Sequence, residues 1–419
     1  MGSTTAGFRS LAHNRDFTAM WVGQTISDFG ARASAFVFPL LGYALTGDAL
    51  WAAAVEVLFL LGLALTLLPA GVLADRFDRL RLMRGSALLG ALLYGSLTVA
   101  GLLGALTLPH LLAVATLTGL TTGVFTPAET AAIRTVVPTD DLPAALSQQQ
   151  ARQHIAGLLG APAGGALLSL ARWAPFALNA CSYAVAWLLL GRIRTDLTPT
   201  RSGADDHVSH PLRDLTEGVR FTWSNAYLRV LLIWAPAANL VGNAVFFVAI
   251  LRLIQAETSP STIALIEVGA GVAGIAGAAI APALIARFRT GRLTMAMGWA
   301  MGPITLPMAL WLDVRVIAAA LALIMVINPA SNAATGAYRI AVTPDELTGR
   351  VQSAMQFASM ATMPLAPLLA GVLMGTLGGR DAGLALVALS LVVALIPTCS
   401  AAVRSVPRPD LWRYVGAES

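Results

Sequence analysis

The chain has 419 residues and a formal net charge of +5; 57% of its residues are hydrophobic, only 12% are charged, and its mean hydropathy is +0.72. A water-soluble domain carries about a quarter charged residues, so this composition excludes a soluble globular protein and places the chain in a bilayer. All 27 basic residues are arginine, which excludes the lysine of a phosphate-binding loop, of a protein kinase and of a pyridoxal Schiff base.

The first sixteen residues are polar and lack the apolar core of a cleavable leader, so the amino terminus is expected to stay inside. A hydrocarbon core of about 30 Å needs about 20 apolar residues in a helix. Charged and Gly/Pro punctuation divides the chain into twelve such runs, at about 17–43, 51–70, 85–106, 110–131, 143–170 and 175–191, then 227–253, 262–286, 293–312, 316–337, 350–375 and 381–402. The expected fold is an all-α membrane protein with 12 transmembrane helices in two pseudo-symmetric halves of six, over 1–194 and 226–419, joined by a cytoplasmic linker at 195–225.

Ionisable groups inside a membrane are costly and face a cavity or a partner. In the first helix Asp28 and Arg32 stand four apart and share a face, close enough to pair. Separation of the pair would make Asp28 a proton switch; a permanent pair would instead tie helices together. Gln24 lies one turn earlier. Glu56 in the second helix and Glu267 in the eighth stand in apolar sequence, suited to a proton or a cationic drug, with exposure near the outer helix ends as the competing reading.

The stretch "AGVLADRFDRLRLMRG" between the second and third helices crowds two acids and four arginines into ten residues, Asp75 to Arg84. Arginines there anchor helix ends in the inner leaflet. The acids need a further reason, and a carboxylate at Asp75 can reach a helix amino terminus or an arginine. Glu129 and Arg134 at the inner end of the fourth helix read as a structural or gating pair. The fifth helix holds "QQQARQHIAG", with Gln148, Gln149, Arg152 and His154, a strip expected to line a cytoplasmic vestibule. Gly157, Gly160, Gly164 and Gly165 around Pro162 allow that helix to bend and pack closely, as Pro364 and Pro367 do in the eleventh.

In the linker, Pro211 to Trp223 has near-helical apolar spacing and reads as a surface helix. His207 and His210 are spaced like metal ligands, but a solvated loop explains both; no metal site and no cofactor are expected. Asn239 and Asn243 in the seventh helix and Asn328 and Asn332 in the tenth repeat at four-residue spacing, as substrate-cavity or interhelical hydrogen-bonding groups. Trp21, Phe36, Phe246 and Phe247 are candidates for an aromatic cavity wall. Cys181 and Cys399 lie in apolar runs and read as buried thiols.

With the amino terminus inside, 21 arginines fall on the cytoplasmic side and 4 outside, so the pI of 9.7 reports topology rather than nucleic-acid binding. The halves also repeat. A shift of 205 lays "IRTVVPTDDL" on "YRIAVTPDEL", and a shift of 211 pairs Asn14 with Asn225, Asp28 with Asn239 and Arg76 with Arg287.

"GVLADRFDR" resembles the loop motif of the major facilitator superfamily, matched at Gly71, Asp75, Arg76 and Arg79. Asp78 and Leu80 depart from the motif, and the second half has Ala286 where the acid would stand. The opening "MWVGQTISDFG", "FTPAETAAIRTVVP" and "LGAPAGGALL" are similar to the drug:proton antiporter branch that includes macrolide-efflux and enterobactin-export proteins. The resemblance implies that Asp75 latches the two halves on the cytoplasmic side, engaging the eleventh helix near Gly349 and Arg350, with Arg134 as a second partner. It implies a secondary active exporter of a small hydrophobic compound, not an enzyme, driven by protons in the inner membrane, both termini cytoplasmic. A siderophore or metabolite exporter stays open, as does a non-transporting receptor or scaffold. Expected partners are a small-molecule substrate, protons and the lipid bilayer, with no nucleic acid; a monomer is expected.

Overall fold

The computed structural model describes residue 11 and residues 14–138, 141–198 and 211–409. His207, His210, Asp140 and the chain ends lie outside the described residues, as do the side chains of Asp75, Arg76 and His154 and the surroundings of Gly71 and Gly349. The described residues form helices and short connections and no strand. In chain order the helices are α1 (Arg15–Thr46), α2 (Ala49–Arg76), α3 (Arg79–Leu102), α4 (Leu108–Val136), α5 (Leu142–Leu170), α6 (Ala174–Leu190), α7 (Pro211–Ser224), α8 (Ala226–Gln255), α9 (Pro260–Arg287), α10 (Thr290–Leu310), α11 (Val314–Ala341), α12 (Asp345–Thr362), α13 (Leu365–Cys399) and α14 (Ala401–Arg404).

Among the described residues, eight stretches are long and apolar enough to cross a membrane. The helices α1 and α5 are not among them.

Local chemistry sets the helix ends. The Asn14 side chain accepts from Phe17 N, and Gly47, at φ 69°, closes α1 by donating to Tyr43 O. Asn225 caps α8 in the same way, accepting from Tyr227 N and Leu228 N. The two residues aligned by the internal repeat thus do the same job at equivalent helix starts. The expected loop between the second and third helices is shorter than its charge content implies: α2 runs to Arg76, and Phe77 and Asp78 alone separate it from α3, with Asp78 accepting from Leu80 N.

The chain divides into two compact units, Met1–Ala204 with Thr258–Val268, and Asp205–Glu257 with Gly269–Ser419. In unit 1, helices meet through small residues. A Cβ on Gly119 would run into the Phe59 carbonyl and come within 3.1 Å of Leu63 N, and Gly42 sits on Ala52. Without a water-driven force between helices in lipid, such close backbone approach is what holds a bundle together. Phe38, Tyr94 and Phe176 form one aromatic cluster, with ring centroids 5.6–6.3 Å apart. Trp21 packs on a second cluster around Met20, Met83 and Leu190, and Phe36 on the aromatic one.

In unit 2 a helix, α7, is present where the sequence spacing at Pro211 to Trp223 predicts one. Gly218 lets it lie directly against the Arg350 backbone, and Glu217 pairs with the Arg350 guanidinium. The expected span 350–375 is not one continuous helix. Pro364 cannot donate a backbone hydrogen bond, and the chain breaks between α12 and α13 at Met363 and Pro364. A second break lies inside α13 at Gly378, whose φ of 79° and ψ of 166° suit glycine alone. Arg252, buried near the end of α8, donates to the Met308 carbonyl at the end of α10.

Candidate functional site

Unit 1 holds a buried ion network. Arg152 of α5 is 4% exposed. Its Nε lies 2.8 Å from Asp28 Oδ2 of α1, and its Nη2 donates to Glu129 Oε1 of α4 at 2.9 Å. Gln149 Nε2 donates to the other Glu129 oxygen at 3.3 Å. Three helices therefore meet on one guanidinium, and two carboxylates share it.

Glycine positions this network. A Cβ on Gly160 would collide with the Arg32 side chain and come within 3.1 Å of Ala33 N; one on Gly164 would run into the Ala33 carbonyl. α5 can thus lie directly on α1 at these residues. Two turns before Gly160 and one turn before Arg32, the same close approach brings Arg152 to Asp28. Gly165 faces Pro260, within the segment that groups with unit 1.

The expected partners are rearranged. Asp28 pairs with Arg152 rather than with Arg32, which is exposed one turn further along α1. Glu129 likewise pairs with Arg152, and Arg134 is exposed near the end of α4. Helical spacing favours i,i+4 pairs within one helix, but a long arginine on a neighbouring helix reaches two acids at once. The strip "QQQARQH" marked this helix as polar; its role as the counter-charge was not assigned.

Gln24 is 3% exposed in α1, and Glu56 is half-buried in α2. Glu267 of α9 is half-buried, with no ion pair among the described residues. Arg79 donates to Thr135 Oγ1 at 3.0 Å, which ties the start of α3 to α4. Pro162 lies within α5, and Pro367 is buried in α13.

Unit 2 holds a cavity of about 310 Å³. All four predicted asparagines, Asn239, Asn243, Asn328 and Asn332, line it, together with Phe246 and Trp234. Met297, Met301 and Met325 complete much of the apolar wall; sequence reading missed them, because methionine at helical spacing is indistinguishable from ordinary core. Phe247 is not part of it. Asn243 Nδ2 donates to the Asn239 carbonyl at 2.8 Å, and Asn332 Nδ2 to Asn328 Oδ1. A second cavity of about 260 Å³ shares Asn239 and Asn243 and is lined on its other side by Gln356, Ser359 and Thr362 of α12.

An apolar helical bundle with a buried ion network in unit 1 and a cavity lined by neutral residues in unit 2 has the parts of a carrier. The Major Facilitator Superfamily model matches residues 20–253. The chain belongs to this superfamily. It is therefore a multi-pass membrane transporter, not an enzyme, and a carrier of small molecules. No curated protein sequence matches this facilitator. Among solved structures, it is similar to a bacterial homologue of the iron transporter ferroportin in an inward-facing state, at TM-score 0.70 and 15% identity, over 93% of this chain and 98% of that one. The nucleoside transporter NupG is similar at TM-score 0.71 and 10% identity, over 92% and 99%. A bacterial homologue of the human lysosomal transporter Spinster is similar at 0.68 and 15%, over 94% and 96%. At these identities the likeness is one of fold.

Proposed function

We propose that this facilitator is a secondary active efflux transporter, exporting a small hydrophobic compound of drug or antibiotic type in exchange for protons by alternating access. The observation that carries the reading is the network Asp28–Arg152–Glu129. Two carboxylates on one guanidinium leave a surplus negative charge in a low-dielectric bundle, and uptake of one proton removes it. A proton on Asp28 weakens its hold on Arg152, which couples protonation to the contact between α1 and α5.

The layout we propose has twelve spans in two halves of six. α1 to α6 make the first half. α8 to α11, the broken pair formed by α12 with the start of α13, and the rest of α13 make the second. Halves over 1–194 and 226–419, the linker 195–225, both termini in the cytoplasm, an inner-membrane location and a monomer complete the proposal, together with membership of the drug:proton antiporter branch. Asp75 acts as the cytoplasmic latch, so Asp75→Asn should abolish transport while folded protein stays in the membrane; unchanged efflux would sink the latch.

The test of function is accumulation of a panel of hydrophobic drugs and dyes in cells expressing the chain or Asp28→Asn, with and without a protonophore. Exclusion of a compound by the wild type, lost in the variant and with the protonophore, supports proton-coupled export. Exclusion that survives both refutes the coupling, and no exclusion of any compound refutes the drug-pump reading.

A further inference from the structure

The unit 2 site has a chemistry that narrows what it holds. Neither cavity has an ionisable side chain among the residues that line it. The larger is walled by Trp234, Phe246 and three methionines, and its polar groups are the carboxamides of four asparagines, the Ser390 hydroxyl and the Trp234 indole N–H. The smaller, across Asn239 and Asn243, is walled by an amide and two hydroxyls, those of Gln356, Ser359 and Thr362, with Met360 and Met363 beside them.

A charged ligand that gives up part of its hydration there meets no counter-charge among the lining residues, so that cost goes uncompensated. An aromatic wall offers a cation about 0.5–2 kcal/mol in return, which does not close the gap. A neutral hydrogen-bonding group meets no such penalty. The Asn239 carboxamide makes no hydrogen bond among the described residues, and Asn243 and Asn332 each spend one donor within the chain, on Asn239 and Asn328 respectively, and keep their side-chain oxygens. Both a donor and an acceptor are thus presented to a ligand at the ridge between the two cavities. Methionine walls are soft and adapt to differently shaped apolar bodies.

We propose that the unit 2 site takes an uncharged amphiphile: an apolar body in the cavity of about 310 Å³, and a neutral amide, hydroxyl or carbonyl head turned across Asn239 and Asn243 into the cavity of about 260 Å³. This rests on the reading of the chain as a carrier of small hydrophobic compounds, and it assigns the ion network of unit 1 to coupling alone and not to substrate charge.

The test uses the full chain in lipid nanodiscs and three probes with the same naphthyl body, titrated by calorimetry: neutral 2-naphthamide, cationic (2-naphthylmethyl)trimethylammonium and anionic 2-naphthoate. The expected result is binding of the amide at least about tenfold tighter than either ion. Asn239→Val should weaken the amide by about five- to tenfold and leave 2-methylnaphthalene, which has no polar head, unchanged. Equal or tighter binding of the cation or the anion overturns the proposal, as does a naphthamide affinity unmoved by Asn239→Val, or binding of none of the three to protein shown folded by its melting curve. Transport is scored separately in proteoliposomes: naphthamide that binds by the expected pattern but is not moved by a pH gradient refutes the export reading and leaves the site assignment supported.

Discussion

Replacing Arg152 with Met tests whether the unit 1 network is held by charge. Arg152 is 4% exposed and has carboxylate oxygens at 2.8 and 2.9 Å on two other helices. Removing one partner of a buried ion pair costs about 3–5 kcal/mol, because the remaining charge is stranded; here two are stranded, so the upper part of that range applies. In a unit of this size each kcal/mol moves the melting temperature by about 2–4 °C, so a fall of about 8–20 °C is expected. The assay is thermal unfolding of the full chain in detergent, followed by tryptophan fluorescence and by size-exclusion retention after heating. Glu129→Gln should lose no more than about 1–2 kcal/mol, since Arg152 keeps Asp28 and an amide oxygen still accepts from it. The triple variant Arg152→Met, Asp28→Asn, Glu129→Gln should recover most of the loss, because no buried charge remains to be stranded. If the triple variant melts as low as Arg152→Met alone, the loss comes from packing of the arginine stem, and the electrostatic reasoning is wrong.

Gly164→Val should cost about 1–3 kcal/mol or force α1 and α5 apart, whereas Gly157→Ala, with nothing within 4 Å of its added Cβ, should be tolerated; melting curves of the two distinguish close packing from a generic glycine effect. Gly378→Ala should cost about 1–3 kcal/mol although no atom stands in the way, because the penalty is conformational, and Gly336→Ala within α11 should be neutral or stabilising by up to about 1 kcal/mol in the same assay. At Asp16, burial pushes the carboxyl up, but hydrogen bonds accepted from Thr195 Oγ1 and N and from Arg194 N outweigh it and hold the group below its usual 3.8. The stability this gives is present above that value and lost as the pH falls through the lower folded one, so Asp16→Ala should be less stable by about 1 kcal/mol at neutral pH and match the wild type in strong acid, as read from melting temperatures across the titration.

The helical bundle was legible because the bilayer forces one solution on an apolar chain: each run of the right length must close its own backbone hydrogen bonds. Nearly all the long helices fall within a few residues of the apolar runs. The exceptions have local causes. α2 continues through Ala74, Asp75 and Arg76, because charge does not end a helix that already has its hydrogen bonds, whereas Pro364 does break one. The four asparagines were found by spacing, since an amide every four residues on an apolar helix stands out. Partner choice was not legible. Asp28 and Arg32 had the right separation on one helix, but Arg152 lies 124 residues after Asp28, and only the absence of side chains at Gly160 and Gly164 brings its helix within reach.

The internal repeat sharpens what the ion network means. The aligned residues Asn14 and Asn225 both cap helix starts, so the repeat preserves what the scaffold needs. The network does not survive the same comparison. The shift that pairs Asn14 with Asn225 carries Asp28 to Asn239, and the shift that pairs Arg134 with Arg339 carries Glu129 to Ala334 and Arg152 to Phe357. All three ionisable positions become neutral in unit 2, and one of them, Asn239, lines its cavity. Were the three charges merely a way to hold six helices together, unit 2 would need an equivalent cluster; its described residues instead show close glycine contacts, such as Gly291 on the Val403 carbonyl and Gly277 on the Val326 carbonyl, and the single buried Arg252 on the Met308 carbonyl. A buried ion cluster that costs desolvation and that the sister scaffold does without is better accounted for by what it does than by what it holds together.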